Sequence, residues 1–256
     1  MSSAAATARV SIADARPSLA RLTVVELRKM VDTRAGFWLQ LIVAVATVAL
    51  VVVYAIFAAA PDRTLQRTLE VSLAPSSVLL PVVGILLVSS EWSQRTAQIT
   101  FTLVPNRSRV YAAKLAAGTA LACLAFGVCL VVAAVATEFA GSGGDRTWAL
   151  PLGMLGQDLL SLVVGMIGGV GFGALFLNSA PAIVANFAAP TVFAVVGSLT
   201  VFEEVAKWLD STRALAPMSD HLMNSTEWAR AGAALALWMV VPVLVGLWRI
   251  LRNEQS

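Results

Sequence analysis

The sequence predicts an all-α integral membrane protein that crosses the bilayer six times. Of its 256 residues, 58% are hydrophobic and 13% are charged, whereas a soluble domain is about half apolar and about a quarter charged. The apolar residues form six runs, each close to the roughly 20 residues that a helix needs to cross a bilayer. A polar stretch, residues 90–114, separates the second and third runs and is long enough to contain a short helix of its own.

The first part of the chain precedes any membrane span. Residues 1–17 consist largely of Ala, Ser and Arg without an apolar period, so we expect a disordered tail. Residues 18–35 predict an amphipathic helix in the headgroup plane, in which Thr23 and Glu26 have the spacing of a capping box. Its apolar stripe consists of Val24, Leu27, Val31 and Trp38. A loosely ordered basic leader is the alternative.

The predicted spans cover about residues 37–60, 71–90, 110–137, 149–177, 180–202 and 231–248. The fourth span contains Gly165, Gly169 and Gly173, whose spacing of four allows close helix approach where lipid provides no hydrophobic drive for association. We therefore predict that it is an internal packing helix. A pore-lining or hinge role for its glycines is the alternative.

The basic residues predict the orientation of the chain. The net charge is +3, but the 18 Lys and Arg residues are spread over several loops, so we expect them to contact lipid headgroups and not nucleic acid. If the N-terminus is inside the cell, 12 of these 18 lie on the cytoplasmic side, which is the side that normally carries the excess. Both termini are therefore expected in the cytoplasm.

The second and fifth spans contain proline, which frees backbone carbonyls that neighbouring groups must satisfy. These spans are the best candidates to bend or to face a cavity. The residues selected as candidates for a substrate pathway are Pro81, Ser89, Asn186, Thr191 and Ser198. The alternative is that the Ser and Thr hydroxyls satisfy the local backbone and that no substrate passes along these helices.

Asp158 is the only charged residue that could lie deep in the membrane, and such residues are functional candidates. However, residues 159–177 are long enough to span without it. The sequence therefore favours a position for Asp158 at the outer surface.

The longest outside segment, residues 203–228, predicts a short helix that lies against the outer leaflet. Its apolar residues recur at helical spacing at Phe202, Val205, Trp208, Leu209 and Thr212. His221, the only histidine, has no second histidine and no cysteine beside it, so a metal site is not predicted.

The polar stretch between the second and third spans carries Arg95, Arg107, Arg109 and Lys114, and its central part could form a helix that ends before Pro105. We interpret it as a cytoplasmic docking element for a separate motor protein. The chain has no G-x-x-x-x-G-K-S/T loop, so it offers no cradle for nucleotide phosphates.

Three motifs in this order resemble the membrane subunits of ABC-2 type ABC transporters. They lie in the N-terminal amphipathic segment, in the loop after the second span and at the start of the third span; their residues are Leu22, Glu26, Leu27 and Lys29, then Glu91 and Thr96, then Pro105, Ser108, Arg109 and Lys114. The likeness extends over about residues 19–252. One departure is Arg95, where many relatives have glycine.

This resemblance implies an elbow helix at residues 18–35 and a cytoplasmic coupling helix at residues 93–104, inside a coupling loop at residues 91–109. The residues expected to couple to the ATPase are Glu91, Arg95, Thr96, Phe101, Pro105 and Arg109. The chain itself would bind no cofactor. Two copies of an ABC ATPase subunit would bind ATP and Mg²⁺.

The resemblance also implies two permease chains, identical or related, with spans two and five at their seam in a cell membrane. The cargo would be an amphipathic or hydrophobic compound (a drug, a peptide antibiotic or a lipid) moved outward. Arg exceeding Lys and the abundance of Ala are associated with a bacterial source.

Three other functions are weighed against this one. An ion-driven secondary transporter would use Asp158. A membrane-embedded protease is suggested by Glu203, Glu204 and His221, but Trp208 occupies the position of the expected arginine and there is no second histidine. A structural or assembly subunit would not need the docking element.

Overall fold

The computed structural model describes residues 18–93, 106–141, 144, 147–199 and 201–252. Within these ranges the chain is 88% helical and has no strand. The predicted tail at residues 1–17 and nearly all of the predicted coupling helix at residues 93–104 lie outside the described residues.

The described helices, in chain order, are α1 (Leu19–Asp32), α2 (Arg34–Phe57), α3 (Leu65–Ser93), α4 (Arg107–Ala140), α5 (Leu152–Phe176), α6 (Ser179–Val196), α7 (Glu203–Leu209), α8 (Ser211–Leu215), α9 (Pro217–Asp220), α10 (Ser225–Leu235) and α11 (Val241–Arg252). A π-helical turn, Ala236–Val240, joins α10 to α11. Six segments are long and apolar enough to cross a membrane: α2, α3, α4, α5, α6 and the continuous pair α10–α11. The prediction of an all-α membrane fold with six such helices is confirmed.

The second span extends beyond its apolar run. Helix α3 begins at Leu65 and not near residue 71, because its polar first turns are stabilised by a salt bridge of 2.9 Å between Arg67 Nη1 and Glu70 Oε2. In contrast, α6 ends at Val196, before the predicted residue 202, and Gly197 caps it by donating its N–H to the Phe193 carbonyl. Hydrophobic runs therefore locate the spans but not their ends.

Helices α3 and α5 form the centre of the bundle. In their most apolar windows, 61% of the α3 residues and 50% of the α5 residues are buried, against 6% for α6. The two central helices are in backbone contact, because a Cβ atom on Gly169 would lie 2.1 Å from the Pro81 carbonyl oxygen and one on Gly173 would lie 2.7 Å from that of Ile85. The prediction that the fourth span is an internal packing helix is confirmed.

Helix α1 precedes the first span and packs against the start of α4. Its N-cap is Ser18, whose side chain accepts from the Arg21 N–H, so the expected capping box at Thr23 and Glu26 is wrong. Glu26 is instead on the buried face of the helix. Of the predicted apolar stripe, Val24 and Val31 lie on the exposed face of α1 and Leu27 is half-buried. Trp38 is also exposed but belongs to α2. Its position in the headgroup plane stays a prediction.

Between Glu203 and Asp220 the chain forms three short helices and not one. The break between α7 and α8 occurs at Asp210, whose carboxylate accepts from the N–H groups of Thr212 and Arg213 and thereby caps α8. Trp238 of the π-helical turn holds the end of α7 through its indole N–H, which donates to the Leu209 carbonyl at 2.7 Å.

Candidate functional site

Four charged side chains from three helices meet at one end of the bundle. Glu26 and Lys29 belong to α1, Glu91 to the last turn of α3 and Lys114 to the second turn of α4. Lys114 Nζ lies 2.6 Å from Glu26 Oε2 and 2.9 Å from Glu91 Oε1. Lys29 Nζ lies 2.7 Å from Glu26 Oε1 and 2.7 Å from Glu91 Oε1. These four residues are called the ion network below.

The ion network is neutral as a whole and is largely removed from solvent. The exposed fraction is 3% for Glu26, 4% for Lys114 and 9% for Glu91. Lys114 also donates to the Leu87 carbonyl at 3.2 Å, so its ammonium group has three acceptors. Buried charges are tolerated when they are paired in this way, whereas removal of one member leaves an uncompensated charge.

Lys29 is the most exposed member of the ion network. Its partial burial lowers the pKa of its ammonium group, but the carboxylates of Glu26 and Glu91 together raise that pKa by more. The net pKa lies above the ordinary value of 10.5. Lys29 is therefore charged at physiological pH and completes the neutralisation of the two carboxylates.

The sequence positions explain why these residues meet. Glu26 and Met30 lie one turn apart on the buried face of α1. Helix α4 begins after Asn106, which accepts from the Arg109 N–H, and Lys114 follows on the face turned towards α1 and α3. Arg107 ties the start of α4 to the end of α11 by donating to the Ile250 carbonyl at 3.0 Å.

Only two of the six predicted coupling residues, Glu91 and Arg109, are among the described residues. The other four, Arg95, Thr96, Phe101 and Pro105, lie outside them. Sequence reasoning did not select Glu26, Lys29 or Lys114 as site residues. The sequence did contain a pattern that could have indicated these residues. Charges of opposite sign lie at the ends of three apolar segments, and they must be paired if those ends are adjacent.

The five predicted pathway residues are not gathered in one place. On α3, Pro81 and Ser89 are buried, and the Ser89 hydroxyl donates to its own helix and lies 2.8 Å from the Ser179 hydroxyl at the start of α6. On α6, Asn186 is half-buried and Thr191 is exposed.

Two of these hydroxyls satisfy only the local backbone. Thr191 donates to the Phe187 carbonyl at 2.8 Å, and Ser198 donates to the Val195 carbonyl at 2.6 Å. For Thr191 and Ser198 the structure thus matches the alternative in which the hydroxyls satisfy the backbone of their own segment.

Asp158 is buried within the protein, with 6% of its surface exposed. Its expected position at the outer surface of the membrane stays a prediction. Asp158 lies in the second turn of α5, next to Gln157. The Gln157 amide donates to the carbonyls of Met218 and His221, at 2.8 and 2.9 Å. Its carbonyl accepts from the Met223 N–H at 3.0 Å. Residues 217–223, held by these three bonds, cover this end of α5, which span length alone does not reveal.

No protein-family model matches the chain, and no curated protein matches its sequence at a significant level. The assignment to ABC-2 type permeases thus rests on the motifs in the sequence and stays a prediction.

Proposed function

We propose that this chain is the membrane permease subunit of an ATP-driven ABC exporter whose ATPase is a separate protein. The observation that carries the proposal is the ion network. Its members Glu91 and Lys114 flank residues 94–105, the segment expected to contain the coupling helix, and both are paired with Glu26 of the expected elbow helix or with its neighbour Lys29.

The ion network gives the expected coupling segment a stiff connection to the membrane helices. A force on that segment reaches α3 at Glu91 and α4 near Lys114. Lys114 of α4 is paired with Glu91 of α3 and with Glu26 of α1, so these three helices would move as one body. Helix α3 contacts α5 through backbone at Gly169, so displacement of α3 would be passed on to the centre of the bundle.

The substrate class is inferred from apolar surface. A cavity of about 230 Å³ lies between α2, α3 and α4. Most of its lining is aliphatic, and its polar side chains are those of Gln40, Thr47, Ser76 and Cys129. Such a lining suits a hydrophobic or amphipathic compound and not a strongly charged one. This supports a drug, a peptide antibiotic or a lipid as the cargo, which we propose is moved outward.

A second permease chain, identical or related, would pack on α6. This helix is the least buried of the six spans and exposes Val184, Val192 and Val195. The seam implied by the resemblance would also involve α3, yet α3 is mostly buried inside this chain. The expected interface is therefore formed mainly by α6.

The coupling role is tested with Arg109→Glu. The chain is purified together with the ATPases encoded beside its gene, and ATP hydrolysis and co-purification are measured. We expect Arg109→Glu to weaken both, because it reverses a charge at the end of the expected coupling loop. The matched control is Glu203→Lys, a reversal of an exposed charge in α7. Unchanged assembly and turnover in Arg109→Glu would remove the coupling role.

The orientation in a bacterial cell membrane, with both termini in the cytoplasm, has its own test. A cysteine introduced by Gln98→Cys is treated with a membrane-impermeant maleimide in intact cells, in a background in which Cys123 and Cys129 are replaced by Ala. We expect labelling only after the cells are opened. Labelling in intact cells would place the coupling loop outside and contradict the proposal.

An ion-gradient-driven transporter is the second candidate, favoured by the buried carboxylate of Asp158. In the described part of the chain this carboxylate has no hydrogen bond or ion pair, a condition found at ion-coupling sites in transporters. If this candidate is right, transport depends on a proton or sodium gradient and Asp158→Asn abolishes it. Transport that depends only on ATP excludes it.

A further inference from the structure

A small polar pocket lies at the end of the bundle opposite to the ion network. Helix α6 starts beside Ser89, near the inner end of α3, and leads away to the short helices α7, α8 and α9. Between these helices and α10 is a pocket of about 240 Å³. It is lined by Lys207, Arg213, Ala214, Pro217, Glu227 and Arg230.

The pocket contains more positive than negative charge. Three of the lining residues are cations, and Glu227 is the one carboxylate among them. That carboxylate already has partners, since it lies 3.0 Å from His221 Nε2 and accepts from the Asn224 N–H at 2.8 Å. It is therefore poorly placed to neutralise the cations that face it.

The three cations differ in how they are paired. Lys207 Nζ lies 2.6 Å from Glu204 Oε1, and Arg213 Nε lies 3.4 Å from Asp210 Oδ2. Arg230 has no hydrogen bond or ion pair with any described residue, and its Nε atom is buried. Glu204 and Glu227 are near enough to interact with Arg230 electrostatically, but each is bonded elsewhere. A buried guanidinium N–H without an acceptor is costly and calls for a ligand.

Exposed aromatic residues beside the pocket indicate its depth in the membrane. Trp208 of α7 and Trp228 of α10 are 43% and 40% exposed, on the same two helices that carry Lys207 and Arg230. Exposed Trp is enriched at the level of the lipid headgroups. Phe202 and Val205 of the same segment are also exposed and apolar. The cations of the pocket thus lie where lipid phosphates are found.

We propose that this pocket binds the phosphate group of an anionic phospholipid, with Arg230 as the main donor and with Lys207 and Arg213 at its edge. A guanidinium matches phosphate through two parallel hydrogen bonds, and no described residue accepts a hydrogen bond from the Arg230 guanidinium, which leaves it available to do so. A zwitterionic lipid has the same phosphate, but the three cations would repel its positive headgroup. A free phosphate has the same chemistry without the acyl chains that the exposed Trp and Phe side chains would contact.

The full chain in detergent is titrated with phosphatidylglycerol or with phosphatidylcholine of the same acyl chains, and bound lipid is counted by native mass spectrometry. We expect phosphatidylglycerol to bind at least about fivefold more tightly, and Arg230→Gln to remove that difference. Arg230→Lys should keep part of it. The control, Arg63→Gln, changes an arginine of the loop between α2 and α3 that does not line the pocket, and it should leave the preference unchanged.

A further arm adds inorganic phosphate at millimolar concentration, which we expect not to displace the lipid. If Arg230→Gln does not fold, Lys207→Gln combined with Arg213→Gln tests the same site, since both side chains are partly exposed. The proposal is overturned by equal affinity for the two lipids, by unchanged phosphatidylglycerol binding in the pocket variants, or by displacement with inorganic phosphate, which would assign the site to a soluble anion.

Discussion

The two ends of the helix bundle satisfy their buried polar groups in different ways. At the α1 end, two carboxylates and two ammonium groups neutralise one another in the ion network. At the other end, the uncharged amide of Gln157 holds residues 217–223 through three hydrogen bonds. The adjacent Asp158 is buried without an ion pair to a described residue. The ion network is thus held by paired charge, and the contact between Gln157 and residues 217–223 by neutral hydrogen bonds.

This difference predicts how easily each of these two contacts can open. Separating members of the ion network would leave a net charge in a buried place, which is expensive, so α1, α3 and α4 should stay together. Amide hydrogen bonds can be exchanged for bonds to water at a small net cost. The cover over α5 should therefore open more easily than the ion network separates.

Lys114→Met should have the largest effect. It removes the ammonium group that lies 2.6 Å from Glu26 Oε2 and 2.9 Å from Glu91 Oε1, and so breaks two ion pairs in a buried site. We expect the free energy of unfolding to fall by about 3–5 kcal/mol. Denaturant titration of the purified protein in detergent, followed by circular dichroism, measures the change. Lys207→Met, which removes an exposed lysine, should change stability little.

A double variant tests whether the loss comes from charge and not from packing. Glu26→Leu with Lys114→Met removes one carboxylate and one ammonium group and leaves the pair Lys29–Glu91 intact at 2.7 Å. Because apolar replacement of a buried pair is often neutral, this variant should recover at least half of the lost stability. A double variant that is less stable than Lys114→Met alone would contradict the electrostatic explanation.

Gly169→Ala tests the contact that joins the two ends. The added methyl group would lie 2.1 Å from the Pro81 carbonyl oxygen, which is backbone and cannot move without displacing α3 from α5. We expect a loss of about 3 kcal/mol, at the upper end of the usual cost of overpacking. Gly127→Ala in α4, where a Cβ has no neighbour within 4 Å, should be neutral or stabilising by up to about 1 kcal/mol.

Gln157→Leu should release the cover at the other end. It leaves the carbonyls of Met218 and His221 and the N–H of Met223 without their partner. We expect a loss of about 2 kcal/mol, since water can replace part of what is lost. Hydrogen exchange should rise in residues 217–223 and stay unchanged in α1. If hydrogen exchange in α1 also became faster in this variant, the stability of the α1 end would depend on the Gln157 contact, which would contradict the prediction. Gln66→Leu, with one hydrogen bond to Glu70 on α3, is the control.

The sequence was sufficient to predict the spans and the central packing helix, because both depend on local patterns. Long apolar runs require lipid or protein around them, and the spacing of Gly169 and Gly173 permits close backbone contact. The ion network depends on long-range contacts, with 62 positions between Lys29 and Glu91 and 88 between Glu26 and Lys114. A single sequence contains the charges but does not indicate which of them meet.

The segment at residues 203–228 illustrates a second limit. Its helical periodicity was correct for α7, but periodicity does not reveal that Asp210 would cap a new helix. For Asp158, the argument from span length compared the helix only with the thickness of the bilayer. It could not include a neighbouring segment that folds over the helix end, so it did not reveal that Asp158 is buried within the protein.

Asp158→Asn should have the smallest effect on stability and the opposite sign to Lys114→Met, although each variant removes one buried charge. The Lys114 ammonium neutralises two carboxylates. The Asp158 carboxylate neutralises no described residue and interacts unfavourably with Glu70, another carboxylate. Its loss should leave the free energy of unfolding unchanged or raise it by up to about 1 kcal/mol. The same denaturant titration measures this. A loss above about 1 kcal/mol would reveal a bonding partner of the Asp158 carboxylate. Both ends of the bundle would then contain a stabilised buried charge, which would contradict the comparison.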